Sequence, residues 1–272
     1  MLINGKDITI HANGLNIRYD DLGVGGTPLL FIHGFPFDKS MWQPQLDFFK
    51  TGSRVIAYDI RGFGKTTVSM EEASMSLFAD DLVEMMDVLE IPQVIACGLS
   101  MGGYILLDAV SRYPERFKAI ILSDTQCIAD SPEGKEKRYK TIELIKSVGL
   151  NNFADGFVKN IFCTESLENK KDLVEKIKQV ILSTTSETVI ASLMALAKRN
   201  ERCTDLAKIN VPALIVCGKE DKITPLAQSE FMHAHIADSV LAAIENAGHM
   251  SNLEQPENFN RHLADFISGL RK

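Results

Sequence analysis

Residues 96–104 read ACGLSMGGY, and three glycines crowd a single serine. Ser100 is the centre of Gly98-Leu99-Ser100-Met101-Gly102, a G-x-S-x-G pattern followed by one more small residue, Gly103. An apolar run precedes it and a helix-like segment follows. In that context the chain turns sharply from strand to helix and holds the serine oxygen out. Glycines two residues either side remove side chains that would clash in so tight a turn. The hydroxyl then sits at a helix N-terminus, where backbone N–H groups favour negative charge. The chemistry this suits is nucleophilic attack.

A serine hydroxyl needs a base to take its proton, and the base needs a group to orient it. Of six histidines, His249 lies in the polar stretch ENAGHMSNLEQP, after the last strand-like run and before the final helix. A histidine in such a loop can reach over a sheet edge towards Ser100. His11 lies in a hairpin, His262 in the last helix, and His33 at a strand end before Gly34. His233 and His235 are two apart on a helix and do not share a face. For the acid, Asp59, Asp124 and Asp221 all follow apolar runs. Asp221 in CGKEDKITP is favoured, with Asp124 one strand earlier as its rival.

These residues need a scaffold, and the pattern describes one. DITIHANGLNIRYDDLG places two alternating runs around Asn13-Gly14, the signature of a type I′ hairpin. Continuous apolar runs follow at residues 29–33, 54–59, 93–98, 119–123 and 213–218, with a weaker one at 239–246. Such runs suit strands buried on both faces, as in a parallel sheet. Helical patterns lie between them at residues 76–89, 103–112, 225–236 and 257–270. Strands alternating with helices imply a mostly parallel α/β sheet. The alternation breaks across residues 125–205, roughly 80 residues of helical pattern and too long for a plain loop. This interval is expected to form a helical cap. The division is residues 1–124 as the first part of the core, 125–205 as the cap and 206–272 as the second part.

Composition narrows the function. The net charge of -7 gives no reason to expect nucleic acid or an anionic membrane as partner. No apolar run approaches membrane-spanning length, and the N-terminal residues lack the pattern of a signal peptide. The five cysteines, Cys97, Cys127, Cys163, Cys203 and Cys217, show no metal-ligand spacing. They read as small buried hydrophobes in a reducing compartment, so a cytoplasmic location is expected.

The chain resembles the α/β-hydrolase superfamily over essentially its whole length. The matching pieces are HGFPFDKSMW (33–42), DIRGFGKT (59–66), GLSMGG (98–103), GKEDKITP (218–225) and AGHMSNLEQP (247–256). The order Ser100, Asp221, His249 is the family's nucleophile–acid–base order. The resemblance implies an eight-stranded, mostly parallel sheet flanked by helices, with the cap inserted after the sixth strand. It also implies an oxyanion hole from the backbone N–H groups of Phe35 and Met101. His33, Gly34, Asp59, Arg61 and Gly62 are expected to shape loops.

A serine at this position argues against the haloalkane dehalogenases, which place aspartate there. GLSMGGY and AGHMSNLEQPENFNRHLADF look most like the branch of small carboxylesterases and 3-oxoadipate enol-lactonases. The expectation is therefore a serine hydrolase that cleaves a small carboxylic ester or lactone through an acyl-enzyme, with no metal and no cofactor. Its partner is a small acyl substrate, and the chain is a monomer or homo-oligomer. Alternatives are enol-lactonase-like activity, cofactor-free haloperoxidase or perhydrolase activity, carbon–carbon bond hydrolysis, and a ligand-binding protein without turnover. Candidate pocket walls are Phe35, Trp42, Met101, Phe153, Phe157, Phe162 and Met194. Lys159, Lys198, Arg199 and Arg202 are the cap cations available to a dicarboxylate substrate.

Overall fold

The computed structural model describes residues 4–68 and 72–270. The first two strands, β1 (Gly5–Ala12) and β2 (Leu15–Leu22), form the hairpin, with Asn13 at φ +46° and Gly14 at φ +73° in its turn. A type I′ turn needs positive φ at both central residues, which is why Asn-Gly announces it. The remaining strands are β3 (Leu29–Ile32), β4 (Val55–Tyr58), β5 (Val94–Leu99), β6 (Phe117–Ser123), β7 (Ala213–Gly218) and β8 (Ser239–Ile244). All eight join one sheet in the order β1-β2-β4-β3-β5-β6-β7-β8. β2 pairs antiparallel with β1 and β4, and every later pairing is parallel.

The apolar runs are buried on both faces. Along β3, Leu30 and Ile32 point into one core, while Leu29 and Phe31 point into the other. β6 and β7 divide in the same way, with Ile120, Leu122 and Ile215 on one face and Ile121, Leu214 and Val216 on the other. This is the period-2 alternation of a strand sandwiched between helical layers.

The helices are α1 (Gln43–Phe49), α2 (Met75–Val88), α3 (Met101–Arg112), α4 (Pro132–Val148), α5 (Asn151–Ile161), α6 (Thr164–Asn169), α7 (Lys171–Ser183), α8 (Ser186–Lys198), α9 (Leu226–His235), α10 (Ser251–Glu254) and α11 (Pro256–Gly269). Among them, α4 to α8 form the insertion between β6 and β7. Helical patterns in the sequence at residues 139–148, 173–182 and 189–198 fall in α4, α7 and α8, and none marks α5 or α6. Among the described residues no single helix is long and apolar enough to cross a membrane.

One reading of the cysteines is corrected. Cys127 and Cys203 form a disulfide, with Cα atoms 4.8 Å apart and a separation of 76 positions in sequence. The strands they flank, β6 and β7, are neighbours, so the two ends of the insertion must meet. The Arg202 N–H donates to the Cys127 carbonyl at 2.8 Å beside the bridge. Cys97, Cys163 and Cys217 are free and buried, as expected. A disulfide is the product of oxidising surroundings, so the expectation of a reducing compartment is not carried further.

Candidate active site

Strand order explains where the site lies. The order reverses between β3 and β5, a switch point at whose C-terminal ends a site is expected. Gly34 and Phe35 follow β3, and Ser100 follows β5. The two loops touch: a Cβ built on Gly34 would lie 3.4 Å from the Ser100 Cβ.

Ser100 has φ +54° and ψ −114°, in the positive-φ region that a side chain disfavours. The surroundings hold it there. Its N–H donates to the Ser123 carbonyl at 2.9 Å, and its own carbonyl accepts from the Gly103 and Tyr104 N–H groups and from the Thr125 hydroxyl. The flanking glycines are there for close approach. A Cβ on Gly98 would sit 2.3 Å from the Gly102 carbonyl oxygen, and one on Gly102 would sit 2.3 Å from that of Ile32. Met101 is the first residue of α3, so its N–H has no partner one turn back.

Asp221 and His249 meet. His249 Nδ1 lies 2.8 Å from Asp221 Oδ2. The carboxylate is fixed on all sides: Oδ1 accepts the Ile223 and Thr224 N–H groups at 2.7 and 3.0 Å, and Oδ2 accepts the Thr224 hydroxyl at 2.7 Å. Burial opposes the imidazolium, but the charge and hydrogen bond of Asp221 outweigh it and raise His249 above its usual value. Burial likewise opposes the Asp221 carboxylate, and the His249 charge together with these donors holds its pKa below the usual range.

The His249 loop is itself anchored. Glu254, fully buried, accepts the Gly248 N–H and the Cys163 N–H at 2.8 Å each, and the Met250 N–H at 3.3 Å. The His249 N–H donates to the Ile161 carbonyl at 2.8 Å. The end of α5 and the His249 loop are thus one unit. Sequence reasoning missed Glu254 and Thr224, although each stands in a segment already singled out, AGHMSNLEQP and GKEDKITP.

The loop-shaping residues behave as such. His33 Nε2 accepts the Ile60 N–H at 2.9 Å, so its proton lies on Nδ1, which donates to the Gly34 carbonyl at 2.9 Å. Burial lowers its pKa and keeps the ring neutral. Asp59 accepts the N–H groups of Lys39 and Lys65 at 2.9 and 3.0 Å. Arg61 grips Asp81 with two hydrogen bonds of 2.8 and 2.6 Å.

The proposed pocket walls separate. Phe35 forms an aromatic cluster with Phe63, Phe153 and Phe157 at centroid distances of 6.4, 6.1 and 6.0 Å. Trp42 is a core residue, fully buried with its ring 4.9 Å from Phe31 and 6.1 Å from Phe259. Phe162 is also fully buried in that core, and Met194 is half-buried against the other. Neither Trp42 nor Phe162 is carried forward as a substrate contact. Three of the four cations of the insertion are engaged: Lys198 with Glu72, Arg199 with Asp130 at 2.8 Å, and Arg202 with Asp108 and Asp205. Arg199 also lies 4.4 Å over the Tyr104 ring.

Asp124, Cys217 and Asp221 bring potential ligand atoms within 4.8 Å of one another. They do not fit a metal. Both carboxylates already face hydrogen-bond donors, and burial pushes the Cys217 thiol up, away from the thiolate a metal needs.

The sheet, the strained serine turn and the acid–histidine pair together define a class of protein. The α/β hydrolase fold family model matches residues 27–256, and the chain belongs to that family. Among its relatives, 3-oxoadipate enol-lactonase 2 of Acinetobacter baylyi is 30% identical over 253 residues, 93% of this chain and 93% of that protein. A thermophilic esterase from Thermogutta terrifontis superposes with a TM-score of 0.93 at 32% identity, over 97% of this chain and 99% of that one. The enol-lactonase from Burkholderia xenovorans LB400 gives a TM-score of 0.90 at 25% identity, over 96% and 100%.

Proposed function

We propose that this protein is a serine hydrolase that cleaves small carboxylic esters or lactones through an acyl-enzyme. The 2.8 Å contact between His249 Nδ1 and Asp221, in the same chain as the strained turn at Ser100, carries the reading. In it, Ser100 Oγ attacks the substrate carbonyl while His249 Nε2 takes its proton. Asp221 holds the imidazole in the tautomer with hydrogen on Nδ1 and stabilises the imidazolium as it forms. The N–H groups of Phe35 and Met101 receive the developing oxyanion, a contribution of roughly 3–4 kcal/mol each. His249 then protonates the leaving alcohol and activates water to release the acid. The relatives named as esterases and enol-lactonases support an ester-bond hydrolase.

Two observations bear on the substrate. The rings of Phe153 and Phe157 beside Phe35 favour an apolar group near the reacting carbonyl. A dicarboxylate-type lactone would need cations, and Lys198, Arg199 and Arg202 are each already paired with a carboxylate, while Lys159 is exposed on α5. An uncharged ester is therefore the preferred substrate class. Turnover of p-nitrophenyl acetate should be abolished in Ser100→Ala with the fold intact by circular dichroism. Retained turnover would refute the assignment of the nucleophile.

A further inference from the structure

One buried carboxyl at the site has no part in the reaction above. Asp124 follows β6 at φ +43°, and its side chain is fully buried. Its Oδ1 accepts the Gly218 N–H at 2.8 Å. Its Oδ2 accepts the Ser123 hydroxyl at 2.8 Å and the Ser251 hydroxyl. Gly218 ends β7 and stands three residues before Asp221, while Ser251 opens α10 two residues after His249. A single carboxyl therefore ties the segment that delivers the acid to the segment that delivers the base.

We propose that Asp124 is a positioning residue of this site, which pins the Asp221 and His249 segments to the end of β6 and couples its own proton to that of His249. The proposal rests on the triad reading above. Facing Asp124 are Asp221 and Cys217, whose side-chain atoms lie within 4.8 Å of its carboxylate, His249, which contacts that same Asp221 at 2.8 Å, and Cys97 from β5. Glu254 of α10 also acts on His249. Burial and the charge of Asp124 push both thiols up, so they stay neutral. The shared protons thus belong to the two carboxyls and the imidazole. Burial, reinforced by the Asp221 charge, pushes Asp124 up to about 7, while the His249 imidazolium pulls it back.

Asp221 stays ionised, so near neutrality one proton can sit in two places. On Asp124 it leaves His249 free to act as a base. On His249 it leaves Asp124 ionised and the site inactive. An interacting pair of this kind titrates in two macroscopic steps, which draws out the acid limb of activity.

The test is the pH dependence of kcat/KM for p-nitrophenyl acetate in the wild type and in Asp124→Asn. Asparagine keeps an oxygen for the Gly218 N–H, and its amino group can meet the two serine hydroxyls. The variant should show a single-proton acid limb that reaches its plateau at lower pH. Near pH 7 its fraction of plateau activity should exceed that of the wild type by up to about tenfold, the equivalent of one pH unit. At the lowest pH the two normalised curves should merge, because Asp124 is protonated there in the wild type. Superimposed profiles would overturn the proposal. So would a loss by the same factor at every pH, which would leave Asp124 a structural brace alone. Should Asp124→Asn fail to fold, Ser251→Ala serves in its place. Loss of one donor favours the protonated carboxyl, so the limb should move the same way by less, and an unmoved limb would overturn the coupling. Activity surviving in Ser100→Ala would instead mean that the triad reading itself is wrong.

Discussion

Asparagine at position 221 would turn the histidine the wrong way round, and the structure explains how. Two rigid backbone donors, the Ile223 and Thr224 N–H groups, point at Oδ1 from 2.7 and 3.0 Å. In Asp221→Asn the amide oxygen must stay on that side, which turns the amide NH2 towards His249 Nδ1. Nδ1 must then accept, and the imidazole proton moves to Nε2, the atom that should take the serine proton. The opposite amide orientation sets NH2 against two N–H groups and leaves them unsatisfied, at about 1–3 kcal/mol each. Neither arrangement leaves a working base. The expected loss in kcat is about 10⁴-fold, or about 5.5 kcal/mol of activation free energy, with KM changed by no more than a few-fold. Stopped-flow release of p-nitrophenol from p-nitrophenyl acetate measures it, on protein whose fold is checked by circular dichroism. A loss smaller than about tenfold would refute the reasoning. It would mean that another carboxyl orients His249, with Asp124 as the candidate.

Two stability measurements probe the scaffold. Reducing the Cys127–Cys203 bond, or replacing both cysteines by serine, opens a loop of 76 residues. Chain entropy puts the loss at about 4.5 kcal/mol, so a urea midpoint unchanged by reductant would exclude the bridge. At the serine turn, Gly102→Ala should destabilise by about 3 kcal/mol or more through its 2.3 Å encounter with the Ile32 carbonyl. Gly156→Ala on the exposed face of α5, where nothing lies within 4 Å, should stabilise by about 0.5–1 kcal/mol. Thermal melts of the pair should move in opposite directions.

The strands were legible because burial on both faces leaves continuous apolar runs, and the hairpin because Asn13-Gly14 suits only one turn. Gly98 and Gly102 were legible as a pair because the clashes they avoid are local. The disulfide was not, since the approach of Cys127 to Cys203 depends on β6 and β7 being neighbours, which spacing does not encode. Trp42 has a related limit: a large aromatic residue beside a functional loop looks the same in sequence whether it faces a pocket or packs on Phe31 and Phe259. Lys198, Arg199 and Arg202 likewise looked available until Glu72, Asp130 and Asp108 were placed beside them. Asp124 was visible as a rival acid, but its tie to both Gly218 and Ser251 depends on three strands ending side by side. Helices α5 and α6 were passed over, although α5 carries the rings that meet Phe35.

The neck of the helical insertion has a consequence for how such a protein can change. Chain enters and leaves the sheet through a gap of 4.8 Å between Cα atoms, little more than the ~3.8 Å between adjacent residues. That gap is braced beyond the sulfur bridge, because Arg199 holds both the Asp130 carboxylate and the Ile128 carbonyl. To β6 and β7, everything between these two points is equivalent to a short turn. New helices can therefore be grafted onto the same two cysteines, provided that the end of α5 keeps the Ile161 carbonyl and the Cys163 N–H that hold the His249 loop. With that contact kept, neither the register of β6 and β7 nor the alignment of Asp221 with His249 need change.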